Sequence, residues 1–228
     1  MAFDARSSLS SLYGQGVEAG LPAFLVENKR CLVLGAGQGH LIQALEKKNN
    51  KVTGIDASKT NYLHYLTNFK DCKSEFLLLD LSTERLPFQD GEFDAVYLYE
   101  VLEHLMSPLY TMLEVQRVLK QNCPFHYSFP EGTVIEGTGP GQHSYPYPGL
   151  FVYEYHRKFV NQIYFRIEDE KEVNYHIFWK MLNRKPNRPH VLDVVNGDYD
   201  SKTLYNDIET FPKIDIKKFR EKFKKADR

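Results

Sequence analysis

Short apolar runs alternate with longer stretches of helical periodicity between residues 30 and 130. The runs RCLVLG (30–35) and FDAVYLY (93–99) are typical of buried parallel strands. Between such runs, apolar side chains recur every three to four residues, as in GHLIQALEKK (39–48). The pattern predicts five strands, at 30–35, 51–56, 74–80, 93–99 and 123–130, with helices at 39–48, after the N-cap Ser58 and from Ser107–Pro108.

Two more strand-like runs follow, NQIYFRIED (161–169) and NYHIFWKML (174–182). The few residues between them cannot form a helical crossover, so we expect an antiparallel pair. The complete pattern predicts an α/β fold, namely a Rossmann-like, doubly wound, mainly parallel sheet of seven strands with an antiparallel last pair, in three α/β/α layers. We expect this domain to span 1–185 and a C-terminal extension with a basic tail to span 186–228.

Composition places the chain among ordinary globular proteins, with 42% hydrophobic residues and a formal net charge of −1. Such a balanced charge argues against general attraction to nucleic acid or to a membrane surface. No apolar run is long enough to span a bilayer, and the first residues lack an apolar signal core. The three cysteines lack metal-type spacing. We therefore predict a cytoplasmic protein with reduced cysteines and no metal site, while the oligomeric state stays open.

The candidate chemistry begins in VLGAGQGHLIQALEKKNNKVTGIDAS (33–58). Gly35, Gly37 and Gly39 follow the first strand, where a turn without side chains lets a ligand approach the backbone. Asp56 ends the second strand, where a carboxylate can accept both hydroxyls of a ribose. The glycine spacing departs from the dinucleotide fingerprint, and no lysine or arginine occurs between 31 and 46. These features favour an adenosine-containing ligand without phosphates.

Four stretches of the sequence, covering about 29–131, resemble the class I S-adenosylmethionine-dependent methyltransferases. The similarity is to the broad type-11 group that modifies quinones, sugars and small metabolites. The strongest part is LPFQDGEFDAV followed by EVLEHL. The matching stretches are LGAGQG (34–39), GIDAS (54–58), LLLDLSTERLPFQDGEFDAVYLYEVLEHL (77–105) and RVLKQNCPFHYSFPE (117–131).

The resemblance implies S-adenosyl-L-methionine as the cofactor and S-adenosyl-L-homocysteine as the product. The glycine backbone would contact the methionine part and the ribose, and Asp56 would bind the ribose hydroxyls. Asp80 would accept from the adenine amine beside the Leu81 N–H, although a strand-ending acid can also simply cap a turn. The implied cofactor-binding residues are Gly35, Ala36, Gly37, Gly39, Asp56, Ala57, Asp80, Leu81, Tyr99, Glu100 and Val101.

Two histidines are candidate bases for removing a proton from the acceptor, His104 and His143. His104 lies four residues after Glu100, which places both on one face if the segment is helical. The alternative is that this pair is structural or solvated.

The long glycine- and proline-rich segment 132–149 predicts a mobile lid, and 132–160 an acceptor region. Tyr145 and Tyr147 are candidate walls of an acceptor pocket, and Tyr13 a residue that closes over the cofactor. The alternative is that the aromatic side chains of 143–160 form the core of a following helix.

The main interpretation is methyl transfer to a small-molecule, sugar, glycan or lipid-precursor acceptor. The alternative acceptor is tRNA or another anionic macromolecule, although a solvated face is the simpler explanation of the basic residues that favour it. These are Lys180, Arg184, Lys185, Arg188 and the basic C-terminal tail at 213–228. Val33 occupies a position where the family usually has an acid, which leaves a non-catalytic S-adenosyl-binding partner subunit as a third hypothesis. The glycine spacing argues against a nicotinamide-dependent dehydrogenase.

Overall fold

A computed structural model describes residues 25–130, 153–163, 165–173 and 176–184. Seven strands and four α-helices alternate along these segments. The strands are β1 (Arg30–Leu34), β2 (Lys51–Asp56), β3 (Glu75–Leu78), β4 (Ala95–Tyr99), β5 (Pro124–Pro130), β6 (Phe165–Val173) and β7 (His176–Asn183). The helices are α1 (His40–Glu46), α2 (Lys59–Asn68), α3 (Pro108–Val118) and α4 (Tyr153–Gln162), with a 3-10 helix at Leu102–His104.

All seven strands form one sheet in the order β3-β2-β1-β4-β5-β7-β6. The pairs from β3 to β5 are parallel, and β7 is antiparallel to both of its neighbours. The chain therefore winds outward in both directions from the boundary between β1 and β4. Because parallel crossovers are right-handed, α1 and α2 cover one face of the sheet and α3 covers the other. The predicted doubly wound α/β/α fold with its antiparallel last pair is confirmed.

The main correction concerns residues 161 and 162, which were predicted to begin a strand. They form the last turn of α4, and β6 begins only at Phe165. The helix is amphipathic: His156, Val160 and the following Ile163 are buried at spacings of four and three. Of the aromatic residues expected to form a helix core within 143–160, His156 is buried and Phe159 is only partly buried. The proposed lid 132–149 and the extension 186–228 lie outside the described residues.

The core explains why β1 reads as a continuous apolar run. Leu32 and Leu34 point to one face and are fully buried, and Val33 points to the other at 2% exposure. Helices on both faces of the sheet exclude water from both sides of this strand. The three cysteines carry free thiols.

A buried arginine attaches the segment between β3 and β4 to α3. The Arg117 side chain donates to the carbonyl oxygens of Leu86 and Phe88 at 3.0 and 2.7 Å. It also pairs with Glu114 at 2.7 Å, and Glu114 in turn accepts from the Leu86 N–H at 2.9 Å. Asp90 accepts from the same guanidinium at 2.9 Å. These contacts order the LPFQDGEF segment without regular secondary structure.

We expect Arg117→Met to lower the free energy of unfolding by about 3 kcal/mol. The substitution leaves the nearly buried Glu114 carboxylate without its cation and two carbonyl groups without donors. Urea unfolding measures the change. Lys120→Met is the matched control, because its ion pair with Asp94 is half-exposed and screened by water and should contribute far less to stability. Equal losses in the two variants would contradict the role of Arg117.

Candidate functional site

A cavity of about 610 Å³ opens at the carboxyl ends of β1, β2 and β4. It lies where the strand order changes direction between β1 and β4, the usual ligand position in an open parallel sheet. Four chain segments line it: the β1–α1 loop, the β2–α2 junction, the residues after β3 and those after β4. The fold predicted from the sequence places these four segments at the same edge of the sheet, but it does not give the contacts between them.

The β1–α1 loop contains three glycines in the left-handed region of backbone conformation, with φ of +67° at Gly35, +53° at Gly37 and +95° at Gly39. A Cβ atom at Gly35 would lie 2.1 Å from Val101 Cγ2, and one at Gly39 would lie 2.3 Å from Tyr65 Cδ2. A Cβ at Gly37 would meet none of the described atoms within 4 Å. Packing therefore requires glycine at 35 and 39, whereas Gly37 leaves its space to the cavity.

Asp56 at the end of β2 connects two walls of the cavity. Its Oδ2 accepts from the Gly37 N–H at 2.8 Å, and its Oδ1 accepts from the Ser58 N–H at 2.8 Å and the Asn61 side chain at 3.2 Å. Ser58 accepts from the Asn61 N–H and caps α2, as predicted. The carboxylate thus orders the glycine loop and the start of α2 while lining the cavity.

Asp80 caps a turn after β3, one of the two roles that the sequence left open, and it also lines the cavity. Its Oδ1 accepts from the Ser82 N–H at 2.8 Å, and its own N–H donates to Glu84 Oε2 at 2.7 Å. These bonds close a turn after β3. The same residue, together with Leu79 and Leu81, lines the cavity.

The segment after β4 bends sharply into the cavity. Glu100 has a φ of +54°, an uncommon conformation for a residue with a side chain. Its N–H donates to the Ser128 carbonyl at 3.2 Å, and its Oε1 accepts from the Ser128 hydroxyl at 2.7 Å. The expectation that Glu100 and His104 share one helix face is wrong, because only Leu102–His104 is helical and its geometry is 3-10. Both residues nevertheless line the cavity.

The lining of the cavity is acidic. Asp56, Asp80 and Glu100 contribute carboxylates, and no lysine or arginine lines it within the part of the chain that the structure describes. His40 adds an imidazole whose pKa is lowered, mainly by burial and further by the neighbouring His64. Such a surface repels phosphate groups and suits a ligand with positive charge.

The sequence predicted most, though not all, of the residues that line the cavity. Ala57, Tyr99 and Val101 line the cavity as expected, whereas Ala36 and Gly39 lie in the glycine loop without lining it. The residues that were missed sit beside the motifs rather than in them: Gln38, His40, Ser58, Thr60, Asn61, Leu79 and Leu105. The helix start after Ser58 was the one signal that could have indicated Thr60 and Asn61.

Four candidates, His143, Tyr145, Tyr147 and Tyr13, lie outside the described residues. Val33 lies in the core cluster with Ala36, Tyr97 and Tyr99. An acid at position 33 would therefore have to lose its hydration, which explains why the apolar residue is compatible with the fold.

Residues 32–125 match the family model described as a methyltransferase domain. A ubiquinone biosynthesis O-methyltransferase of Dechloromonas aromatica is 31% identical over 102 residues, which are 43% of this chain and 43% of that protein. A tRNA U34 carboxymethyltransferase of Nautilia profundicola is 33% identical over 96 residues, which are 41% of this chain and 31% of that protein. The chain thus matches less than half the length of these two relatives.

Among solved structures, a SAM-dependent methyltransferase from Aquifex aeolicus superimposes with a TM-score of 0.61 at 19% identity. The superposition covers 76% of this chain and 93% of that one, and at this identity it establishes the fold. The family implies S-adenosyl-L-methionine as the cofactor. Residues 32–125 therefore belong to the type-11 methyltransferase-domain family, within a chain that has the class I fold of S-adenosylmethionine-dependent methyltransferases.

Proposed function

We propose that the protein transfers a methyl group from S-adenosyl-L-methionine to a small-molecule, sugar, glycan or lipid-precursor acceptor. The observation that carries this proposal is the acid-lined cavity at the switch point of a methyltransferase fold, with an open Cβ position at Gly37. When bound, the cofactor supplies a methyl group already activated by the sulfonium. The residues of this chain then have to bind the cofactor, align the acceptor with the methyl group and exclude water.

The cavity residues fit the cofactor by chemistry. Asp56 would bind the ribose. Three protein donors occupy its oxygens and a carboxylate offers about four acceptor positions, which leaves one position for a ribose hydroxyl. Asp80 and the Leu81 N–H would bind the adenine. The backbone of Gly35 and Gly37 would lie along the methionine part. The positive charge of the sulfonium and of the amino group complements the carboxylates of the lining.

Tyr99, Glu100 and Val101 would lie near the methyl group, because they stand at the carboxyl end of β4 and line the cavity. Val101 already packs against Gly35, so the two segments have little freedom to separate. His104 lines the same cavity and its side chain is 39% exposed, which lets it reach an acceptor and exchange protons with water. It is our candidate base, while His143, Tyr145, Tyr147 and Tyr13 remain proposals on sequence grounds.

An anionic macromolecule is the second candidate acceptor, favoured by the tRNA-modifying relative. Phosphates would meet three carboxylates at the cavity, so a nucleic acid would have to bind elsewhere on the protein, such as at the exposed Arg184. A non-catalytic S-adenosyl-binding partner subunit is the third hypothesis, and turnover of the cofactor separates it from the first two.

The proposed cytoplasmic location rests on the sequence. The three free thiols are compatible with a reducing compartment. No helix among the described residues is long and apolar enough to cross a membrane.

We expect S-adenosylhomocysteine and S-adenosylmethionine to bind, and NAD not to bind. The pyrophosphate of NAD would be repelled by the carboxylates of the lining, whereas S-adenosylmethionine has a net positive charge and S-adenosylhomocysteine has no net charge. At a hundredfold excess over its dissociation constant, a ligand should stabilise the fold by about 2.7 kcal/mol. Calorimetry and thermal shift measure both effects. Binding of NAD without S-adenosyl binding would contradict the proposal.

We expect Gly37→Val to weaken S-adenosylhomocysteine binding at least about tenfold, because the added side chain occupies space that the cavity leaves open. Gly91→Val is the matched control. Gly91 also has a positive φ, of +61°, and its nearest neighbour lies 3.9 Å from a built Cβ, but it does not line the cavity. Both variants should lose similar stability from backbone strain. Isothermal calorimetry should show weakened binding in the first alone, and equal binding in both would refute the site.

We expect His104→Gln to reduce turnover about 10²–10⁴-fold while leaving the affinity for S-adenosylhomocysteine within about twofold. The reason is that a base acts on the acceptor and makes no demand on the cofactor. Transfer of a labelled methyl group to hydroxylated aromatic and sugar acceptors provides the measurement. His64→Gln is the control, since that imidazole does not line the cavity. Unchanged turnover in His104→Gln would assign proton removal to another group.

A further inference from the structure

The 3-10 helix after β4 carries a carboxyl group that the proposed mechanism has not used. Glu103 is 1% exposed, and its Oε1 lies 3.7 Å from Nε2 of the neighbouring His104. Its Oε2 has no hydrogen-bond partner among residues 25–130, 153–163, 165–173 and 176–184. His104 is also the one basic side chain of these residues that lies within 4 Å of the Glu103 carboxylate. A fully buried carboxyl group thus faces a half-exposed imidazole that lines the cavity.

We propose that Glu103 is a positioning residue for His104, which orients its ring and stabilises the positive charge that the ring acquires when it takes a proton from the methyl acceptor. This inference rests on the proposed function, because the proton that His104 takes comes from the acceptor. In this step the proton moves to the imidazole and the electron pair it leaves stays on the acceptor atom. The negative charge of Glu103 then faces an imidazolium.

The distance between the two groups gives the contact a specific role. At 3.7 Å it is too long for a hydrogen bond and within the range of an ion pair. A neutral imidazole therefore gains little from Glu103, whereas an imidazolium gains a buried, weakly screened attraction. An interaction that strengthens only as the proton is transferred lowers the barrier rather than the energy of the bound state.

The surroundings of Glu103 make the charges of the two residues interdependent. Burial, and then the charge of Glu100, raise the pKa of Glu103 well above its usual value. The 3-10 helix that carries Glu103 packs against β5 and α3. From β5, Tyr127 is the titratable group that interacts with Glu103, and from α3, Glu114 is already paired with Arg117. Burial and Glu100 therefore oppose the charge of Glu103, whereas a positive charge at His104 favours it. The proposed step operates above the raised pKa of Glu103, where its carboxylate is already ionised and has no proton to release.

The test is a pH titration of the histidine rings followed by NMR. In Glu103→Gln, we expect the apparent pKa of His104 to fall by about one pH unit, since the substitution keeps the shape and removes the charge. Glu103→Asp should restore part of this fall. His40 and His64 in the same spectra are internal controls and should titrate as in the wild type. A merely structural contact would leave the titration of His104 unchanged, and that result in a folded Glu103→Gln protein would overturn the proposal.

The reciprocal variant keeps the test decisive if Glu103→Gln does not fold. His104→Gln changes a half-exposed side chain, and it should move the ionisation of Glu103 to higher pH, as followed by its carboxyl carbon resonance. An unmoved Glu103 resonance would again overturn the inference. S-adenosylhomocysteine binding, measured by calorimetry on the wild-type protein, tests the proposed function separately. Its absence would contradict methyl transfer, while the titrations would still decide whether Glu103 and His104 are coupled.

Discussion

The hydrogen bond from the Gly37 N–H to Asp56 Oδ2, 2.8 Å long, joins the two strand ends on which the cavity depends. The glycine loop leaves β1 and Asp56 ends β2, so this bond keeps the loop close to the sheet. Because the other carboxylate oxygen accepts from Ser58 and Asn61, the same side chain also sets where α2 begins. Because Asp56 is hydrogen-bonded to both the glycine loop and the start of α2, these two segments are fixed relative to each other on one wall of the cavity.

The opposite wall depends on a second constraint. Glu100 adopts a left-handed conformation, and its two hydrogen bonds to Ser128 compensate for this by attaching the turn to β5. The turn brings Val101 against Gly35, where even a Cβ atom would collide. The segments that follow β1 and β4 therefore touch at Gly35 and Val101, and the carboxylates of Asp56 and Glu100 line the cavity on either side of this contact.

Two buried glutamates on the same side of the sheet show how partners decide the role of a charge. Glu114 is paired with the guanidinium of Arg117 at 2.7 Å and with a backbone N–H, so its charge is permanently compensated and orders a loop. Within the described part of the chain, the basic side chain within 4 Å of Glu103 is an imidazole at 3.7 Å, whose charge changes with protonation. A buried carboxylate with a permanent cation is structural, whereas one beside a titratable ring can respond to a proton.

The sequence by itself determined the elements of the sheet, the position of the glycine loop and most of the acids around it. Apolar runs of the β1 type are typical of strands covered on both faces, and acids that end parallel strands of this kind lie at one edge of the sheet. The sequence placed the start of β6 too early, because the residues at the end of α4 fit the pattern of a strand as well as that of a helix. Only the burial of His156, Val160 and Ile163 shows that this segment is helical. Tertiary structure alone decided that Gly35 and Gly39 have no room for a side chain whereas Gly37 has, and that Glu103 is buried beside His104. Those distinctions depend on which atoms from distant parts of the chain occupy the surrounding space, and no local pattern contains that information.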